Sequence, residues 1–506
     1  MKNITITIVV FLLNALSAVA QGYYLTTVNV DNTDSDTGLH ILTDDEGYAI
    51  MCGSLGKIGF VRVDLNGNKI WENVFDYTYD TGVTDMLRLP NNNYLLVGTL
   101  IELGMSKQDL FIFANQNGEA YREIIHGNEM DNRTANAILR TNNIIAYTSF
   151  SPPDDTPLLQ NILLTMDTAG TMLRRDTLPN IASYAINGSE SITLLPPDEY
   201  IIGIGAKDSL TLKISGYLRK IDTMGNTIWE KGINDLNLPS IYVPIYLVTL
   251  KNGNFVTTWL DWQGYDIEQF GSYFVRCYNA AGDSLWQYTF TDNEHGRNIQ
   301  GLRLCANGDI IGVGYIPLHP TTGNPGGWMF RLSPSGQLLW QREYVYWDAL
   351  EQVMLLYDVV EDPYGDIVAT GFASRPDPDD GIWKGQAVLL KVDAMGCFGT
   401  GGCNDTTIVH SVVSSTAPPP RAAPAQVVRL LPAGGGEYWA LAPELYQATQ
   451  LLVYDLNGRL VMQQSLPIGE ALSRVTFPAS LPQAMYVYVA EQGGLVVARG
   501  KVVYSW

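Results

Sequence analysis

Asp379 and Asp380 stand side by side in the stretch ASRPDPDDGIWKG, and paired carboxylates are the groups that cleave glycosidic bonds by acid and base catalysis. Such a pair must flank one bond at about 5 to 10 Å, so two neighbours in a polar loop read as solvated turn charge instead. The five histidines, His40, His126, His295, His319 and His410, are scattered along the chain, and no metal pair or catalytic triad can be read from their spacing. G-x-S-x-G, H-E-x-x-H, phosphate-loop and C-x-x-C patterns are all missing. The residues alone therefore assign no catalytic, cofactor-binding or metal-binding position, and catalysis would need carboxylates from distant segments to converge. Of five cysteines, Cys397 and Cys403 close the tight loop CFGTGGC and are the expected disulfide, worth about 2 kcal/mol by loop closure. Cys52 and Cys305 sit in apolar, strand-like runs and read as buried small hydrophobes.

The elements that would position any site are repeats. One signature is a polar turn running into an apolar strand, as in DDEGYAIMCGS, PNNNYLLVGT and DPYGDIVATGF. The other is a strand, a glycine turn and a second strand, as in FVRVDLNGNKIW, YLRKIDTMGNTIW and WMFRLSPSGQLLW. Its turn glycines are Gly67, Gly118, Gly170, Gly225, Gly282, Gly336 and Gly396, at successive spacings of 51, 52, 55, 57, 54 and 60. With an apolar lead-in strand such as GVTDMLRL, each unit supplies four strands, and seven units of four antiparallel strands predict a seven-bladed β-propeller over residues 21–403. The seventh unit lacks its outer strand, whereas YYLTTVNV at residues 23–30 is an unattached one. The N-terminus is thus expected to complete the seventh blade and remove the open edge.

Trp71, Trp229, Trp286 and Trp340 each follow a turn glycine by four residues. Recurring once per unit, they suit docking of one blade on the next better than a sugar platform. The D-x-N-G turns lack the twelve-residue pattern and terminal Glu of a calcium loop and suit simple two-strand turns.

The remaining connections are long and fall on the opposite face of the propeller. Long loops concentrated on one side of a rigid scaffold are where binding usually resides, and the candidate ligand face is Tyr77, Tyr79, Asp154, Asp155, Trp262, Tyr265, His319, Trp347 and Trp383.

The chain has 506 residues, with Lys+Arg 31 against Asp+Glu 52 and a formal charge of −21. This balance argues against a nucleic-acid partner, which needs clustered Lys and Arg, and favours cations or a basic partner. Hydrophobic residues at 46% and charged residues at 16% supply enough apolar surface for ordered folding. Residues 1–20 read as a secretory leader: Lys2 is followed by a mostly apolar run and an A-x-A site at Ala18–Ala20. No later run is long enough to span a bilayer.

Residues 404–426, NDTTIVHSVVSSTAPPPRAAPAQ, have the Thr, Ser, Ala and Pro composition of a linker. Strand-like segments from Val427 to Trp506 predict a small immunoglobulin-like β-sandwich. Within it, LLVYDLNGRLVMQQSL, SLPQAMYVYVA and the final GKVVYSW resemble the type A C-terminal sorting domain of the bacterial type IX secretion system. That resemblance implies recognition by the outer-membrane export machinery of a Gram-negative-type bacterium and a secreted or cell-surface location. The family's usual Y-P-N-P-like start is replaced by Leu431-Pro432-Ala433-Gly434. The repeats are also similar, more loosely, to quinoprotein-like propellers. Nothing matches the quinone and calcium site of the enzymes among them, so the likeness implies the fold and no cofactor.

These features together point to an exported propeller that binds an extracellular glycan or protein without catalysis. A polysaccharide hydrolase or lyase and a structural component of a surface layer or adhesion apparatus are the alternatives.

Overall fold

The computed structural model describes residues 24–504 except 29–36, 55, 78–79, 102–106, 127–132, 151–159, 180–183, 209–213, 233–240, 263–271, 291–295, 318–323, 347–352, 377–382, 399–405, 410–412, 415–428, 435–436, 442–448, 456–458, 468–471, 479–480, 483 and 493–494. The expected leader lies outside the described residues. All regular secondary structure in them is strand, and the chain divides into two compact units, Met1–Thr416 and Ala417–Trp506.

The first unit is a seven-bladed β-propeller. Six blades are built from four consecutive antiparallel strands, beginning with Thr37–Asp44, Gly47–Ser54, Lys57–Asp64 and Lys69–Asp76. The seventh takes three strands from the end of the unit, Val353–Glu361, Ile367–Pro376 and Trp383–Val392, and its fourth from the N-terminus, Tyr24–Val28. The innermost strand of each blade packs on that of the next, and the circle closes from Val353–Glu361 back to Thr37–Asp44.

Each outer turn is closed by its own first side chain. Asp64 Oδ1 accepts the amides of Asn66 at 2.9 Å and Asn68 at 2.8 Å, with Gly67 at φ 82° supplying the left-handed residue that the reversal needs. Asn115, Asp167, Asp222, Asn279 and Asp393 repeat the pattern. These carboxylates and amides are occupied by backbone donors, which explains the D-x-N-G turns without a metal.

The tryptophans dock neighbouring blades, as their spacing predicts. Trp229, Trp286 and Trp340 lie against Gly282, Gly336 and Gly396 of the following blade. Their indole N–H groups donate to the carbonyls of Ala280, Pro334 and Ala394 at 3.2, 3.1 and 3.1 Å. Where the sequence has no Trp, other donors serve: Arg122 reaches Ala169 O at 2.8 Å and Arg174 reaches Thr223 O. At the closure the ring of Tyr24 covers Gly67, and its hydroxyl lies 3.5 Å from Leu65 O. Apolar clusters fill the blade interfaces, for instance Leu95, Phe111 and Phe113 against Ile144, Leu164 and Met166.

The segment expected as a linker is shorter at its N-terminal end. Thr406–Val409 adds a fifth, parallel strand to Leu338–Tyr346 of blade six, and Val413–Ser414 pairs in parallel with Tyr24–Val28. The β-branched Thr406, Thr407, Ile408 and Val409 suit an edge strand better than an extended linker.

The second unit holds two antiparallel sheets, one of Arg429–Gly434, Glu437–Leu441 and Leu472–Thr476, the other of Leu460–Leu466, Thr449–Tyr454, Ala484–Gln492 and Leu495–Tyr504. Tyr438, Ala440 and Val475 of the first share one core with Leu451, Val453, Tyr486 and Tyr488 of the second, the arrangement of a β-sandwich.

Candidate functional site

A β-bulge interrupts the innermost strand of every blade. Bulges redirect side chains, and they often border functional sites. Here they bring His40, Asp85, Asn136, Ser191, Tyr246, Gly301 and Asp358, one residue from each blade, to equivalent positions around the central channel. Two residues further along each strand stand Leu42, Leu87, Ile138, Thr193, Val248, Arg303 and Val360. A mostly polar ring thus lies beside a mostly apolar one. Asp85, Asn136, Ser191, Tyr246 and Arg303 line one cavity of about 410 Å³, on the half of the channel nearer the short turns.

The two carboxylates brace their own blade against the next. Asp85 accepts the amide of Met86 at 2.8 Å and, from blade three, that of Ala137 at 3.0 Å. Asp358 accepts the amide of Val359 at 2.9 Å, that of Ile41 in blade one at 3.2 Å and Nη2 of Arg303 at 2.8 Å. His40 Nδ1 lies 3.7 Å from the same carboxylate.

Their proton affinities diverge. Burial pushes the Asp85 carboxyl above the usual carboxylate range, against the opposing pull of His40 and Arg303. Burial acts in the same sense on Asp358, but the adjoining Arg303 charge and the contact with His40 outweigh it and hold the carboxyl low. The Arg303 guanidinium, raised first by Asp358, keeps 39% of its side chain open to the channel. Ser191 is only 4% exposed, and its hydroxyl has no hydrogen-bond partner among the described residues.

The cavity can therefore offer guanidinium, hydroxyl and amide donors and a carboxyl, Asp85, that holds its proton to higher pH, while the low-pKa Asp358 lies behind it, engaged by Ile41, Val359 and Arg303. This suits a small polar ligand, and it is also the divergence that acid and base partners show. Among the described residues no group of three or more His, Cys, Asp and Glu is placed to hold a metal ion.

The sequence-predicted ligand face is only partly described. Tyr77 is half-buried, packing against the cluster of Met51, Phe60 and Leu96 between blades one and two, with its amide donating to Gly56 O at 2.9 Å. It is a packing residue and not the exposed plane expected, because the turn after the first blade folds back over the interface. Burial and the charge of Glu123 raise its hydroxyl. Trp262 pairs with Ile241, and Trp383 with Pro376, both at the long-connection ends of their strands. Tyr79, Asp154, Asp155, Tyr265, His319 and Trp347 lie outside the described residues, as do Asp379 and Asp380. Cys397 is disulfide-bonded, while its expected partner Cys403 lies outside the described residues, and Cys52, Cys277 and Cys305 are buried thiols outside any disulfide.

The ring residues were not singled out by spacing. The available signal was a polar residue in mid-strand of a lead-in, as His40, Asp85 and Asp358 stand in TGLHILTD, GVTDMLR and VMLLYDVVE.

No protein-family model matches the chain, and no curated protein does. Among solved structures it is similar to an α-L-arabinofuranosidase of Fusarium graminearum, at 13% identity and a TM-score of 0.41 over 61% of this chain and 97% of that one. A protein of unknown function from Dyadobacter fermentans matches at 8% identity and a TM-score of 0.41, over 72% and 98% of the two chains. A subtype N10 neuraminidase-like protein of A/little yellow-shouldered bat/Guatemala/060/2010 matches at 8% identity and 0.35, over 62% and 96%. Likeness at this level says nothing of activity.

Proposed function

We propose that this chain is an exported β-propeller that binds a small polar group of an extracellular ligand in its central channel. The observation that carries this reading is the ring itself: Asp85, Asn136, Ser191, Tyr246 and Arg303 around one cavity, with the buried Ser191 hydroxyl still unpartnered. A buried hydroxyl left without a partner costs about 1–3 kcal/mol, a cost that a bound ligand or water offsets. The resemblance of residues 427–506 to a type IX sorting domain supports an address for outer-membrane export, with the protein ending up secreted or on the cell surface.

The test is binding of residues 21–416 to an array of polysaccharides and surface glycans, with mass spectrometry for released product. Binding lost in Arg303→Met and Ser191→Ala, and kept in Trp262→Ala and Trp383→Ala, supports the channel. The reverse pattern moves the site to the long-loop face.

A second reading, hydrolysis or lyase cleavage of polysaccharide, is favoured by one observation: burial raises Asp85 while Arg303 holds Asp358 down. New shorter glycans in the same assay would establish it. The export reading is checked by fusing residues 427–506 to a reporter in a cell with type IX machinery, where a reporter kept in the periplasm would refute it.

A further inference from the structure

Where the ring closes, Lys391 in the third strand of blade seven and Asp362 in that blade's first turn are buried side by side. Neither side chain is exposed, and Nζ lies 2.8 Å from Oδ2. The other carboxyl oxygen, Oδ1, accepts the backbone amides of Tyr364 at 2.9 Å and Asp366 at 3.0 Å. From blade one, the Tyr48 hydroxyl donates to Oδ2 at 2.9 Å and lies 3.1 Å from Nζ. A second carboxylate, Asp366 Oδ2, is 3.3 Å from Nζ. One amine and one carboxyl with its two oxygens in different surroundings thus meet away from solvent, beside a second acid whose side chain is 19% exposed.

Other blades hold ion pairs at this place. The corresponding third-strand positions are Arg62, paired with Asp44, and Arg331, paired with Asp309 at 2.9 Å. A guanidinium remains protonated and is no nucleophile. Lys220 has an amine but faces Glu199 with the two side chains 10% and 27% exposed. Blade seven alone among these combines an amine with a carboxyl wholly shut off from solvent.

We propose that Lys391 and Asp362 condense to an intramolecular isopeptide bond. With both side chains of the pair shut off from solvent, passing a proton from the ammonium to the carboxylate removes two buried charges at once. The freed amine, 2.8 Å from Oδ2, adjoins the carboxyl carbon Cγ that it must attack at close range. As the C–N bond forms, negative charge grows on Oδ1, where the amides of Tyr364 and Asp366 already point, as oxyanion-stabilising donors must. Asp366, which burial raises above the usual carboxylate range, relays the protons. The ammonium gives up two protons in all, both reach Oδ2, and the C–Oδ2 bond breaks to release one water. No oxidant, reductant or cofactor enters the balance.

The bond would tie the first turn of blade seven to the strand that carries Tyr24–Val28, a covalent brace at the seam of the ring. The test is the intact mass of the purified, denatured and reduced chain, with fragment sequencing. The expected result is a chain one water lighter than its sequence, with a branched peptide joining Lys391 to Asp362. Lys391→Arg should restore the full mass, and Asp366→Asn should slow formation by about 100-fold or more, the lower end of general acid–base contributions. Full mass in the wild-type chain overturns the proposal, and so does a shortfall that maps to any other residues. Asp366→Asn forming the bond as fast as the wild type removes Asp366 from the relay.

Discussion

Trp340 of blade six and Gly396 of blade seven are made for each other's surfaces: a Cβ on Gly396 would come within 2.8 Å of the indole, while the indole N–H bonds Ala394 two residues before it. Gly396 also has φ 73°, so both backbone and neighbour exclude a side chain. Gly396→Ala is expected to destabilise the propeller by about 1–3 kcal/mol, the range for overpacking combined with a left-handed residue. Trp340→Ala should cost about 3–5 kcal/mol as a buried aromatic truncation. Urea denaturation followed by tryptophan fluorescence checks the first, and circular dichroism the second. A Gly396→Ala variant as stable as the wild type would show that the interface is loose.

The two channel carboxylates should act oppositely on the pH dependence of stability. Asp85 has its folded carboxyl raised, so its contribution is full below the unfolded value of about 3.9 and is lost as pH rises through the folded value. Asp358 is lowered, so it stabilises above about 3.9 and loses that contribution as pH falls through its folded value. Asp85→Asn should therefore flatten the decline of stability on the alkaline side, and Asp358→Asn the decline on the acid side. Urea midpoints from pH 3 to 8 would show this, and identical slopes for both variants would contradict it.

Burial pushes the thiols of Cys277 and Cys305 up to about 12, and Cys52 is buried as well. The thiolate is the reactive form, so none of the three should react with iodoacetamide at pH 8 while the protein is folded. All three should react once it is unfolded without reductant, and rapid labelling of any in the native protein would disprove the expected burial.

For a ligand held in the channel, Arg303→Met should weaken binding by about 10- to 100-fold, the loss of a charge-assisted hydrogen bond of about 1.5–3 kcal/mol. Ser191→Ala should weaken it by about fivefold, equivalent to a neutral hydrogen bond of about 1 kcal/mol. Titration calorimetry on the glycan that the array identifies decides, and unchanged affinity in both variants rules the channel out.

The frame of this protein was legible in its sequence because each repeat pairs a turn glycine with a fixed partner. Gly67 to Gly396 mark the blades, the four tryptophans mark their docking, and the unattached YYLTTVNV strand closes the ring. The channel was not legible, since His40, Asp85 and Asp358 meet only after each strand has bulged, and a bulge leaves no residue type behind it. Arg122, Arg174 and Tyr24 take the tryptophan's place by reaching carbonyls of the next blade's turn, an equivalence of geometry that composition does not reveal. Thr406–Val409 was hidden by its surroundings, four β-branched residues inside a stretch otherwise typical of a linker.

Those last strands have a mechanical consequence. Thr406–Val409 holds blade six by four residue pairs and Val413–Ser414 holds the N-terminal strand by two. Tension applied from the C-terminal side of residue 416 reaches these short ladders before any four-stranded blade. They are the first contacts that such a pull loads, which sets six residue pairs between the tether and the ring.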